Sequence, residues 1–152
     1  MGDDFFKENE CTEFCDRRKV LVVKDLGNSQ EYRVVNASQK ELCKIRIDGC
    51  LIEEGERCDY LLLNCEDRLA IFVQLKGQDL IKAISQIESS INFLIKQLAD
   101  FKIYARIVLN KTPTPAINSS TEIKLKKRLK KHNGEDSREL IKYQSKIMEE
   151  KV

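Results

Sequence analysis

Three polar residues interrupt two apolar runs in the middle of the chain, and their types suit the binding of a cation and a phosphate. Asp59 lies near the start of the run 58–64, and Gln74 and Lys76 lie two residues apart at the end of the run that begins at Leu69. Apolar runs of this length between turn residues are typical of buried strands, in which alternate side chains share a face. If the two strands pair through the turn at 66–67, a carboxylate, an amide oxygen and an ammonium converge at one end of a sheet.

Each of these groups has a defined chemical use. Mg²⁺ takes oxygen ligands and keeps several waters, so Asp59 would supply charge while Gln74 and the main-chain carbonyl of Leu75 would supply neutral oxygens. Lys76 could orient or deprotonate an attacking water, or neutralise charge that develops on a phosphate. Glu41, upstream, could add a second carboxylate. The set predicts a Mg²⁺ or Mn²⁺ site for hydrolysis of a phosphate ester.

The elements that would position these residues follow from the apolar pattern. The segments 19–23 and 31–35 predict a β-hairpin, followed by a short helical turn over 36–41 and a strand over 44–52 that is interrupted at 48–49. Beyond the two apolar strands, apolar residues at 4-3-4 spacing predict a long helix that begins at Asp79; they are Leu80, Ile84, Ile87, Ile91, Leu94 and Leu98. A strand over 101–109, a basic helix over 122–132 and a last amphipathic helix from Ser137 to Met148 complete a single α/β domain over residues 1–152.

Asp59 together with Gln74-Leu75-Lys76 resembles the D…(D/E)xK signature of the PD-(D/E)xK nuclease superfamily. The order of elements over residues 38–110 is similar to the αβββαβ core of that superfamily. The resemblance implies a restriction-endonuclease-like mixed sheet flanked by helices, with the N-terminal hairpin and a basic helical part over 119–152 outside the core. It implies that Asp59 is the main metal ligand, Gln74 the second position, Lys76 the catalytic lysine and Glu41 a helper. The implied function is a metal-dependent DNA nuclease in restriction, repair or defence.

The second acidic position of this signature is occupied by Gln74, which is the main departure from the family pattern. Loss of an anionic ligand weakens Mg²⁺ binding, and Glu41, Glu54 or Glu56 could compensate. Some branches of the superfamily carry glutamine at this position, whereas in others the change accompanies loss of activity. Gln86, off the apolar stripe of the long helix, could face the site or the solvent.

Two further interpretations stay open at this point. A decayed site on the same fold would bind nucleic acid or a protein partner without cleavage. Alternatively, the chain is a small regulatory or immunity-type interaction protein in which Asp59 pairs with Arg57 or Lys76, and Lys76 is a solvated strand end.

A dense run of positive charge marks the basic helix. Its six cations are Lys124, Lys126, Lys127, Arg128, Lys130 and Lys131. Such a helix face is either a solvated surface, a contact for a phosphate backbone or a contact for a membrane surface, and we expect DNA as the partner. By analogy with the fold, a nuclease of this size would act as a homodimer or take its specificity from a partner protein.

Composition sets further expectations. The chain has 152 residues, a net charge of +2 and no apolar stretch of membrane-spanning length, so we expect no membrane insertion. The acidic beginning lacks the features of a secretion signal, which predicts a cytoplasmic protein. The six cysteines form no CxxC pair and no Cys/His cluster, and the only histidine is His132, so reduced, partly buried thiols are expected. The i, i+4 spacing of Cys11 and Cys15 leaves a metal pair as the alternative.

Overall fold

A computed structural model describes residues 2–25, 27, 29–75, 79–111 and 119–152, with side chains from residue 4. Helices, a six-stranded sheet and a three-stranded sheet form three layers. In chain order the elements are α1 (Gly2–Lys7), β1 (Thr12–Asp16), β2 (Val20–Lys24), β3 (Glu31–Val35), β4 (Leu42–Arg46), β5 (Tyr60–Asn64), β6 (Leu69–Leu75), α2 (Leu80–Leu94), β7 (Lys102–Leu109), α3 (Ser120–Asn133), β8 (Ile141–Ser145) and β9 (Ile147–Lys151). The α/β class predicted from the sequence is confirmed.

The large sheet has the order β1-β4-β5-β6-β7-β8. Its first four strands pair antiparallel, whereas β7 runs parallel to both β6 and β8. Because parallel neighbours need a crossover, α2 carries the chain from the end of β6 back to the start of β7. The carboxyl ends of β6 and β7 therefore lie at one edge of the sheet, and α2 and α3 each begin near that edge.

Side chains on the two faces of the large sheet enter two separate cores. On β6, Ala70 and Phe72 join the core beneath the helices, and Val73 and Leu75 join the core shared with the small sheet. The apolar stripe of α2 is buried as predicted. Its capping residue is confirmed too, since Asp79 Oδ1 accepts the Lys82 N–H at 3.0 Å.

The small sheet has the order β2-β3-β9 and covers the second face of the large one. The predicted hairpin is confirmed by the antiparallel pairing of β2 with β3, in which Val20 lies opposite Val35. Parallel pairing of β3 with β9, from Glu31 and Ile147 onward, then joins the hairpin to the carboxyl end of the chain.

The prediction of a final helix over 137–148, and thus of a helical segment through 152, is wrong. Helix ends at Asn133, and the strands β8 and β9 follow, separated by Lys146 at φ 67°. The apolar residues have helical spacing, but Ile141 enters the core under the helices and Met148 enters the other core. Pairing with β7 and β3 satisfies two sheets at once, which one helix face could not do.

The short helical turn expected over 36–41 is also absent. Asn36 does not cap a helix, because its side chain closes a loop. Its Oδ1 accepts the Lys40 N–H at 3.0 Å, and its Nδ2 donates to the carbonyls of Arg18 and Lys40 at 2.9 and 2.8 Å. The helix that begins the family core therefore has no counterpart directly before β4 among the described residues.

Four of the six cysteines are paired, which corrects the expectation of reduced thiols. Disulfides join Cys11 to Cys50 and Cys15 to Cys43, whereas neither disulfide includes Cys58 or Cys65. The pairing depends on which strands are neighbours, so connectivity cannot be read from cysteine spacing alone. Disulfides are typical of oxidising compartments, and the cytoplasmic location stays a prediction. Within the described ranges, no helix is long and apolar enough to cross a bilayer.

Candidate metal and phosphate site

Asp59 and Gln74 lie opposite each other at one end of the β5–β6 pair. Tyr60 pairs with Val73, so the next residues outward on the two strands are Asp59 and Gln74. Directly opposed residues of an antiparallel pair point to the same face, which here is the face beneath α2. The structure thus brings together two of the residues that the sequence singled out.

Hydrogen bonds hold the two side chains in place. Asp59 N–H donates to Gln74 Oε1 at 3.1 Å, and Asp59 Oδ2 accepts the Leu75 N–H at 2.8 Å. Asp59 and Gln74 are only 5% and 6% exposed, so each bond satisfies a group that would otherwise be buried at a cost. The carboxylate is consequently fixed against the main chain of Leu75, the third predicted ligand.

Gln86 of α2 completes this cluster. Its Oε1 accepts the Gln74 Nε2–H at 3.1 Å, so Gln86 faces the site and not the solvent. One turn further along the helix, Ser90 Oγ accepts the Cys58 N–H at 2.8 Å. These two contacts attach α2 to the end of β6 and to the residues just before β5, and so fix the spacing between the helix and the Asp59 carboxylate.

A cleft of about 350 Å³ opens above these groups. Its lining comprises Asp48, Gly55, Arg57, Asp59, Gln74, Asp79, Lys82, Ala83 and Gln86. One open interpretation paired Arg57 with Asp59, but Arg57 Nε pairs with Asp48 Oδ1 at 2.7 Å. Asp48 and Lys82 line the cleft without having been predicted from the sequence. The Asp48-Gly49 interruption of an apolar strand was the available signal for Asp48.

Glu41 does not join the cluster. It precedes β4 at the opposite end of the sheet, where its carboxylate pairs with Lys7 at 2.7 Å and its carbonyl accepts the Cys65 N–H. Cys65 follows β5 and Asp59 precedes it, so at about 3.4 Å per residue Glu41 lies on the order of 20 Å from Asp59. The helper role implied by the resemblance depended on the helical turn that the Asn36 loop replaces.

The other proposed compensating acids are not in the cleft lining either. Glu54 is exposed, and Glu56 accepts the Ser85 hydroxyl hydrogen at 2.6 Å on the surface. Lys76, the expected catalytic lysine, lies outside the described residues. Its position two residues after Gln74 is a fact of the sequence only.

The basic residues of α3 lie mainly on the outer surface. Leu125 and Leu129 are buried against the sheet, while five of the six predicted cations are exposed and Arg128 is half-buried. Lys126 Nζ pairs with Glu122 Oε2 at 2.9 Å, which offsets part of the positive charge. The helix starts near the cleft edge and ends beside the beginning of β7, where His132 contacts the Phe101 carbonyl.

The oxygen donors near Asp59 fit only a weakly held divalent cation. Among the residues that the structure describes, no three His, Cys, Asp or Glu side chains lie close enough to hold a metal. Mg²⁺ is commonly bound by one or two carboxylates together with waters and substrate phosphate oxygens, so one carboxylate beside neutral oxygens is compatible with it. The Gln74 carbonyl oxygen keeps a second lone pair after accepting the Asp59 N–H.

Comparison with protein-family models, with curated proteins and with solved structures finds no match to this chain. The function is therefore inferred from the residues and geometry of the site.

Proposed function

We propose that the protein is a Mg²⁺- or Mn²⁺-dependent nuclease that hydrolyses phosphodiester bonds in DNA, on a fold related to the PD-(D/E)xK superfamily. The observation that carries the proposal is the opposed placement of Asp59 and Gln74 at the strand ends, beneath the first turns of α2. The proposal is supported by the antiparallel β4, β5 and β6, followed by α2 and the parallel β7, which match the βββαβ part of the αβββαβ core that the resemblance implies.

In this proposal Asp59 holds the cation, with the carbonyl oxygens of Gln74 and Leu75 as neutral donors. A bound cation would polarise a phosphoryl oxygen and lower the pKa of a coordinated water. The bond from Leu75 N–H to Asp59 Oδ2 orients the carboxylate, and Gln86 orients the Gln74 amide. Lys76 would stabilise charge on the phosphate, as the family resemblance implies.

Cleavage assays on linear, supercoiled, single-stranded and branched DNA with Mg²⁺ or Mn²⁺ test this proposal. The informative variants are Asp59→Asn, which keeps an acceptor for the Leu75 N–H but removes the charge, and Gln74→Glu. We expect wild-type cleavage that Asp59→Asn abolishes while the melting temperature stays close to the wild type. Equal cleavage by wild type and Asp59→Asn would assign the activity to a contaminant or to another site.

DNA binding through α3 is tested separately. The triple variant Lys124→Glu/Lys127→Glu/Lys131→Glu reverses exposed charges on this helix, and Lys19→Glu/Lys24→Glu/Lys96→Glu is a matched control at exposed lysines elsewhere. If the three α3 lysines contact phosphates, neutralising them alone would reduce the slope of log K against log salt by about 2.7. We expect the α3 variant to lose affinity and salt dependence, and the control to keep most of both.

A second candidate, binding of DNA without cleavage, has its own support. Both polar atoms of the Gln74 amide already bond within the protein, to Asp59 N–H and Gln86 Oε1. Of the other cleft acids, Asp48 pairs with Arg57 and Asp79 caps α2. Activity gained only in Gln74→Glu, together with wild-type DNA binding, would favour this candidate over the nuclease.

A further inference from the structure

Three sulfur atoms lie side by side on three adjacent strands or strand ends, away from the Asp59 cleft. Cys15 of β1 lies opposite Cys43 of β4, and a disulfide joins them. Cys65 follows the end of β5, the strand next to β4, and its Sγ is 3.8 Å from Cys43 Sγ. All three side chains pack on the helix-covered face of the sheet. The Cys65 sulfur, which belongs to neither disulfide, therefore contacts one sulfur of the Cys15–Cys43 disulfide.

The local structure leaves room for the bond to change partners. Closing the gap from Cys65 to Cys43 requires a movement of roughly 1.8 Å, because a disulfide bond is about 2.0 Å long. Cys65 begins the turn 65–68, where its N–H donates to the Glu41 carbonyl at 3.1 Å, so a shift of its side chain leaves the β4–β5 pairs from Leu42–Asn64 onward in place. Cys43 is fully buried, whereas Cys15 and Cys65 are half-buried.

We propose that Cys15, Cys43 and Cys65 form a thiol–disulfide exchange site in which Cys43 alternates between two partners. The Cys65 thiolate attacks Cys43 Sγ, the Cys43–Cys65 bond forms, and the Cys15–Cys43 bond breaks. The electron pair of the broken bond leaves on the Cys15 sulfur, which takes up a proton equivalent to the one that Cys65 lost. No external oxidant or reductant is consumed, and the protein keeps the same number of disulfides.

The exchange moves a covalent link from the edge of the sheet to its interior. Before exchange, the link ties the edge strand β1 to β4, and after exchange it ties β4 to the turn behind β5. The Cys11–Cys50 disulfide keeps the start of β1 attached in both states. The product state therefore presents a half-buried thiol at Cys15 on the edge strand, available to a small electrophile or a low-molecular-weight disulfide.

Cys58 provides an internal control. It is fully buried, and burial raises the pKa of its thiol to about 12, so it stays protonated and inert near neutral pH. Labelling of Cys58 would report unfolding and not exchange.

Native alkylation of the wild-type protein with N-ethylmaleimide, without added thiol, tests the proposal directly. A glutamate-specific protease cuts at Glu13 between Cys11 and Cys15 but leaves Cys43 and Cys50 together on the fragment 42–53. Mass spectrometry therefore distinguishes the two states by whether fragment 14–31, with Cys15, or fragment 57–66, with Cys65, is joined to fragment 42–53. We expect one label per molecule, divided between Cys15 and Cys65, with the matching Cys43–Cys65 and Cys15–Cys43 linked peptides. Label on Cys65 alone, or on all three cysteines, overturns the proposal.

Two variants give a second, independent readout in a buffer of reduced and oxidised glutathione. Cys65→Ser should keep the Cys15–Cys43 link and show no label on either of these two cysteines. Cys15→Ser should form the Cys43–Cys65 link under the same conditions, so that neither Cys43 nor Cys65 is labelled. If Cys43 and Cys65 both stay unlinked and are labelled in Cys15→Ser while Cys58 remains unlabelled, the exchange site is contradicted. Misfolding could not explain this result, because an unlabelled Cys58 shows that the variant is folded.

Discussion

Replacement of Gln74 by glutamate should make the melting temperature of the protein depend on divalent cations. This dependence can be measured without any catalytic assay. The new carboxylate would lie opposite Asp59 on the same buried face, with Cβ atoms about 5 Å apart. At an effective dielectric constant of 20, two unit charges at that distance repel by about 3 kcal/mol. Gln86 can rotate its amide so that Nε2 donates to the new carboxylate. The loss of the Gln74–Gln86 hydrogen bond therefore adds no further cost to the repulsion.

For a chain of this length, about 3 kcal/mol corresponds to a fall in melting temperature of about 6–12 °C. We expect this fall in Gln74→Glu when EDTA is present. Mg²⁺ at ten times its dissociation constant would raise the free energy of unfolding again by about 1.4 kcal/mol. The folded-state pKa of one of the two carboxyls would be raised, so the fall should also shrink as the pH is lowered.

Thermal unfolding followed by circular dichroism, with EDTA and with 10 mM Mg²⁺ in parallel, measures these shifts. For a dissociation constant on the order of 1 mM, this Mg²⁺ concentration is about ten times the constant. Gln144→Glu is the matched control, because Gln144 is exposed on β8 and lies outside the cleft lining. The control loses only the exposed bond from Gln144 Nε2 to the Ile147 carbonyl, so it should show a much smaller fall and no response to Mg²⁺. An unchanged melting temperature in Gln74→Glu, or an equal fall with and without Mg²⁺, would refute the electrostatic reasoning.

Two further predictions concern the stability of the fold. The Asn133 side chain forms hydrogen bonds with both the N–H and the carbonyl of Ile103, a residue of β7 that does not pair with β8. Asn133→Ala should therefore lower the free energy of unfolding, measured in urea, by about 2–4 kcal/mol, whereas the exposed control Lys131→Ala should lower it by less than about 0.5 kcal/mol. Desolvation acts to raise the pKa of Asp136, but bonds from the Arg138 N–H, the Tyr104 hydroxyl and Lys102 outweigh it and hold that pKa well below its usual range. A depressed carboxyl pKa stabilises the fold above about pH 4, so Asp136→Asn should lower the melting temperature at pH 7 and the difference should close as the solution is acidified. A constant difference between pH 7 and pH 2 would contradict the role of this charge.

The middle of the fold could be predicted because each element carries a strong local pattern. The apolar stripe of α2, with its Asp79 cap, predicts only a helix, and the five consecutive apolar residues that begin β6 predict only a buried strand. The opposed placement of Asp59 and Gln74 follows from strand periodicity plus a tight connection between β5 and β6. These parts of the site depend on neighbours in sequence.

The parts that sequence reasoning missed depend on distant contacts. The residues of β1 are mostly polar, and this strand is defined by pairing with β4. The strands β8 and β9 carry apolar residues at helical spacing, so only their partners β7 and β3 decide their structure. Glu41 was assigned to the site through a helix whose capping residue, Asn36, instead closes a loop.

The parallel pairing of β3 with β9 has a consequence for the order of events during synthesis. Glu31 leaves the ribosome first, and its partner Ile147 follows 116 residues later. At 5–20 residues per second, that delay is on the order of ten seconds. Throughout this interval one edge of β3 is unpaired, and the apolar side chains Leu21, Val23 and Tyr32 lack the cover that Met148 completes. The apolar face of the β2–β3 hairpin is therefore exposed until β9 has been made. A stop codon placed before β9 should yield a chain that aggregates or binds to chaperones.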